Sequence, residues 1–80
     1  MTEIEKLNNI LCDVLNIKDI SKITDEMGPD EIEDWDSLAH VELVTNLEES
    51  FRLELNVVEI SKMYTIGDVK KILAKHEVLL

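Results

Sequence analysis

The sequence predicts an all-α fold, a small antiparallel bundle of three longer helices plus one short helix. Three observations lead there. Apolar residues recur at three- and four-residue spacing in separate segments, and a Thr or Asn followed three residues later by an acidic residue marks three helix starts. No segment alternates long enough to make a convincing sheet. Eighty residues fit one domain, residues 1–80, with a core small enough to leave only modest net stability.

Thr2 and Glu5 form the first capping pattern, and Ile4, Leu7, Leu11 and Val14 give a helix ending near Leu15. Cys12 lies off the centre of that stripe with no basic neighbour, the position of a half-buried structural thiol. Residues 16–35 then show no sustained period and carry Gly28-Pro29. A loop this long in so small a domain has to be packed or functional. Ile17, Ile20, Ile23 and Met27 point to packing, with a helical turn among the isoleucines. Trp35 reads as a loop anchor covering the core, and also as a flat contact for a partner.

The central helix starts at Asp36 or Ser37 and runs to Phe51. At ~100° per residue, His40, Leu43, Val44, Leu47 and Phe51 share the core face. Glu42, Thr45, Asn46 and Glu49 face the other way, with Leu38 among them, an apolar residue that the core does not explain. Ser37 stands where free N–H groups and the positive end of the helix dipole favour an anion, including a phosphate esterified to its hydroxyl. After an extended link at Arg52-Leu53-Glu54-Leu55, Asn56 and Glu59 open a short helix with Val57, Val58 and Ile60 that ends near Lys62 or Met63. Thr65 and Asp68 open the last helix, with Val69, Ile72 and Leu73 inward and Lys70, Lys71 and Lys75 outward. Gly67 in its first turn costs little there. His76 reads as a favourable C-terminal charge or a solvated side chain, and Val78-Leu79-Leu80 as a last patch of packing or a frayed end.

Composition narrows the function. Eighteen acidic against eight basic residues give a net charge of −10, which disfavours nucleic-acid and anionic-membrane binding and favours partners with basic patches. Residues 30–54 hold nine of the acids and one base, Arg52, so the negative field gathers around Ser37. The lone cysteine excludes an intrachain disulfide and fits a reducing compartment, and the N-terminus lacks the pattern of a signal peptide, so a cytoplasmic monomer is expected. Asp36, Ser37 and His40 imitate a catalytic triad in order but not in geometry, because one helix cannot both orient the imidazole and supply an oxyanion hole. No EF-hand spacing or zinc pattern is present, so no metal site and no enzyme are expected.

Asp36-Ser37-Leu38, followed by Val41-Glu42-Leu43-Val44 and Leu47-Glu48-Glu49-Ser50-Phe51, resembles the acyl carrier protein pattern around its modified serine. The resemblance implies that Ser37 carries 4′-phosphopantetheine, taken from coenzyme A by a phosphopantetheinyl transferase, whose thiol holds an acyl, aminoacyl or hydroxyacyl group as a thioester. Asp36, Leu38, Val41, Glu42, Glu48 and Glu49 would form the docking strip for that transferase and for acyl-loading and acyl-processing enzymes with basic patches. Ala39 stands where many fatty-acid carriers have an acid, and Asp34 and Trp35 where they often have glycine and a small residue. With His40, these features look like discrete carriers of specialised pathways, ahead of peptidyl carriers. The alternative is an unmodified acidic interaction module that binds a basic partner through the same face.

Overall fold

The chain is organised by burial on four helices, and the computed structural model describes residues 2–80. They are α1 (Glu3–Leu15), α2 (Ser37–Phe51), α3 (Val57–Ser61) and α4 (Ile66–Lys75), with a 3-10 turn at Ile20–Lys22. No strand occurs among the described residues, as the patterning predicts.

Each helix begins where a side chain satisfies an otherwise orphan N–H. Thr2, Asp36, Asn56 and Thr65 accept from Glu5, Ala39, Glu59 and Asp68 respectively. Only Asn56–Glu59 closes the full reciprocal box. At the first helix the Thr2 hydroxyl donates to the Glu5 carboxylate instead, and at the last the Asp68 carboxylate accepts from Tyr64 N–H. α1 and α2 end on left-handed residues, Asn16 and Arg52, whose N–H groups return to the carbonyls of Cys12 and Glu48.

α1 packs against α2, and the core takes Leu7, Leu11 and Leu15 from the first, Leu43 and Leu47 from the second, and Ile66, Val69 and Leu73 from α4. Full burial of each leucine stabilises by about 1.5–3 kcal/mol relative to exposure. The inward face of α1 is rotated slightly from the expected one. Ile10 and Leu15 are buried, while Ile4 and Val14 pack half-buried at the margin. Cys12 is half-buried, as its place off the stripe predicts.

The long connection is packed. Ile17, Ile20, Ile23 and Met27 all lie against the core, and Ile32 and Trp35 are buried in it. The loop also caps α4, because Ile66 N–H donates to the Met27 carbonyl at 2.9 Å and Gly67 N–H to the Asp25 carbonyl at 2.8 Å. This close approach accounts for both glycines. A Cβ on Gly28 would run into the Tyr64 carbonyl, and one on Gly67 would sit 3.1 Å from the Asp25 carbonyl oxygen. Lys70 adds an ion pair to Asp25 at 2.7 Å.

At the C-terminus Val78 is buried while Leu79 is 86% exposed. Of the two readings of His76, the structure departs from the solvated side chain: it is half-buried at the end of α4, with Nε2 2.8 Å from Glu59 Oε2, tying that end to α3. That contact joins residues seventeen apart in sequence, so only the packing of two helices creates it.

Candidate functional site

Ser37 is the first residue of α2, one position after the capping Asp36, and its side chain is exposed. Asp36 Oδ1 accepts from Ala39 N–H at 2.8 Å, and the first intrahelical bond runs from His40 N–H to the Asp36 carbonyl. The N–H groups of Ser37 and Leu38 therefore have no intrahelical acceptor and stand at the same helix end as the Ser37 hydroxyl. Those donors and the dipole favour an anion there, so the residues present fit a phosphate ester on Ser37.

Beside Ser37 opens an apolar groove of about 580 Å³. Trp35 and His40 line one side, and Ile60, Met63 and Tyr64 the other. Trp35 and Met63 are each 3% exposed and form its depth, while Val57 and Tyr64 stand exposed at its rim.

The depth of the groove is cross-linked by one imidazole. Trp35 Nε1–H donates to His40 Nδ1 at 3.0 Å, and His40 Nε2 lies 3.0 Å from the Ile60 carbonyl oxygen. The two rings are 6.1 Å apart between centroids and only 18° from parallel, the arrangement of coplanar rings joined edge to edge through an in-plane lone pair. Indole is a donor only, so Nδ1 must accept, Nε2 carries the proton, and the Ile60 carbonyl accepts it. A neutral imidazole thus satisfies three segments: the loop, α2 and α3. Trp35 is the loop anchor that its solitary placement predicts, and it also lines the groove. His40 is a half-buried structural histidine, and no acid orients it as a triad requires.

The predicted docking residues divide. Leu38 is 70% exposed and Val41 62%, and Glu42 and Glu49 are exposed with them on the outer face of α2. Asp36 is exposed but committed to its cap. Glu48 is half-buried and its Oε2 accepts from Leu55 N–H at 2.9 Å, holding the link that follows α2. Sequence reasoning singled out none of Ile60, Met63 and Tyr64 as site residues. Their signal was faint: two adjacent valines in a capped helix too short to bury both.

Among the described residues no His, Cys, Asp and Glu cluster could hold a metal ion, and no helix is long and apolar enough to cross a membrane. Glu59 has its pKa lowered, first because its carboxylate accepts from Asn56 N–H and then through His76.

No family model matches the chain. It is 30% identical over 77 residues to the acyl carrier protein of Brachyspira hyodysenteriae, covering 96% of this chain and 99% of that protein. Among solved structures, the holo acyl carrier protein of Geobacter metallireducens superposes with a TM-score of 0.73 at 28% identity, covering 100% of this chain and 97% of the other. A Mycobacterium tuberculosis chain provisionally named an acyl carrier protein shares the fold, with a TM-score of 0.80 at 24% identity over 94% of this chain and 99% of its own.

Proposed function

The chain belongs to the acyl carrier protein family, and on that premise we propose that it carries an acyl, aminoacyl or hydroxyacyl group as a thioester on 4′-phosphopantetheine attached to Ser37. Members of the family are non-catalytic carriers, so the protein is not an enzyme. The observation that carries the assignment is the position of Ser37: exposed, first in α2, beside free backbone donors and at the mouth of an apolar groove. When bound, the group supplies a thiol that holds the cargo.

The chain's own residues do the rest. Asp36 caps α2 and so fixes the Ser37 backbone, while the helix N-terminus offsets the phosphate charge. Leu38 and Val41 offer an apolar anchor, and Glu42 and Glu49 steer a basic transferase or processing enzyme toward it. Glu48 contributes charge while its geometry serves the link after α2. Tethering presents each intermediate at a high effective concentration once a partner has docked. A single carrier domain working as a cytoplasmic monomer, in fatty-acid or specialised metabolite biosynthesis, fits the size and charge of the chain.

The test is intact mass after incubation with coenzyme A, magnesium and a broad-specificity phosphopantetheinyl transferase. The wild type is expected to gain one phosphopantetheine and Ser37→Ala none. No gain by a folded wild type, with the transferase proven on another carrier, would leave the unmodified acidic interaction module as the reading of the Leu38 and Glu42 face.

A further inference from the structure

The groove beside Ser37 is closed at its depth by polar bonds. We infer that the Trp35–His40–Ile60 bridge is a specificity-determining barrier: it keeps a Ser37-linked cargo in the surface groove and out of the helical core, restricting the protected cargo to short acyl groups. The inference rests on the carrier reading, and it concerns residues in which this chain departs from the motif around its serine.

Three observations converge. Ser37 itself lines the groove, so a chain turning back from its hydroxyl meets this space first. The groove, at about 580 Å³, falls in the range of small-ligand sites, ~300–1,000 Å³. The fully buried Leu43 and Leu47 lie on the same helix but do not line it. To reach them, a chain must part Trp35, His40 and Ile60, which belong to the loop, α2 and α3 and are joined by two 3.0 Å bonds through one ring. Parting them strands the indole N–H of a side chain that is 3% exposed, together with a carbonyl, and an unpaired buried polar group costs more than the net worth of its bond. An apolar chain gains by burial, but here each step inward begins with that loss. The groove walls offer Ile60, Met63 and Tyr64 to a short chain without it.

The experiment loads wild type, His40→Gln, His40→Ala and Trp35→Phe with acetyl, hexanoyl and dodecanoyl phosphopantetheine from the corresponding acyl coenzyme A. It then follows thermal unfolding and the fluorescence of the native tryptophan, where it is retained. Wild type is expected to show no further rise in Tm from hexanoyl to dodecanoyl and no change in Trp35 emission. His40→Gln, whose amide can both accept from the indole and donate to Ile60, should behave like wild type. His40→Ala should gain roughly 5 °C or more with the longer chain, the size expected for burying one or two methylenes in a domain this small. Trp35→Phe removes the indole donor while keeping a ring, and serves as the opened form if His40→Ala fails to fold. A Tm that climbs with chain length in the wild type, or opened variants that stay as flat as the wild type, would overturn the barrier.

Absence of any mass gain would count against the carrier reading alone. The same chain lengths would then be attached as alkyl disulfides to Ser37→Cys in a Cys12→Ser background, with and without His40→Ala, and the same contrast in Tm decides the barrier.

Discussion

Two helices face each other across the groove, and they are held by different forces. α2 buries Ala39, Leu43, Val44 and Leu47 and is anchored by the core along its length. α3 buries no residue at all, and Val57 and Val58 are 81% and 58% exposed. Only Ile60 of α3 packs against the core, half-buried, and the rest of what fixes the helix is polar: its capping box, Glu59 against His76, and the Ile60 carbonyl against His40. Burial is non-directional and tolerates small shifts, whereas hydrogen bonds specify positions but contribute about 1 kcal/mol each. The serine therefore sits on the helix anchored by burial along its length, and the helix facing it depends more on its polar contacts.

The largest effect should come from the wall anchored by burial. Leu47→Ala should destabilise the protein by about 2–5 kcal/mol in urea unfolding, because a fully buried leucine leaves a cavity that its neighbours only partly fill. A cost below about 1 kcal/mol would mean that α2 is not held by burial. On the other wall, Asn56→Ala should cost about 0.5–2 kcal/mol, the worth of an N-cap, and hydrogen exchange should quicken around α3 while α2 stays protected. Equal loosening of both helices would break the contrast.

Acid should weaken the polar wall. The carboxyl of Glu59 titrates below its ordinary value in the folded protein, held there by Asn56 N–H and then by His76. A depressed folded value means that its contribution is present above the unfolded pKa and is lost as pH falls through the folded one. Tm should therefore drop across that acidic interval, and Glu59→Gln should show a shallower drop. An unchanged slope in the variant would assign the acid sensitivity to other carboxylates.

The smallest effect on stability should come from the outer face of α2. Leu38→Ala should change stability by no more than about 0.5 kcal/mol yet slow modification by the transferase. Glu42→Lys combined with Glu49→Lys should leave helicity intact and weaken the same partner most at low salt. A large fall in Tm for Leu38→Ala would place that leucine in the packing. Unchanged partner kinetics at low salt in the charge-reversed protein would remove the docking strip.

Much of this was legible in the chain itself. Helix starts depend on contacts three residues apart, so Thr2, Asp36, Asn56 and Thr65 declare them locally. Three- and four-residue periodicity set the buried face of α2, and the exposed Leu38 beside Ser37 was visible as an apolar residue out of phase with it. Tertiary structure decided what depends on residues distant in sequence. It drew Met27 and Asp25 onto the start of α4, committed Glu48 to Leu55, and paired His76 with Glu59. It also turned Trp35 and His40, whose individual burial was predictable, into a bridge to a carbonyl twenty residues further on. Local spacing encodes a helix because its hydrogen bonds close within four residues, whereas a groove between two helices exists only once the core has set their separation.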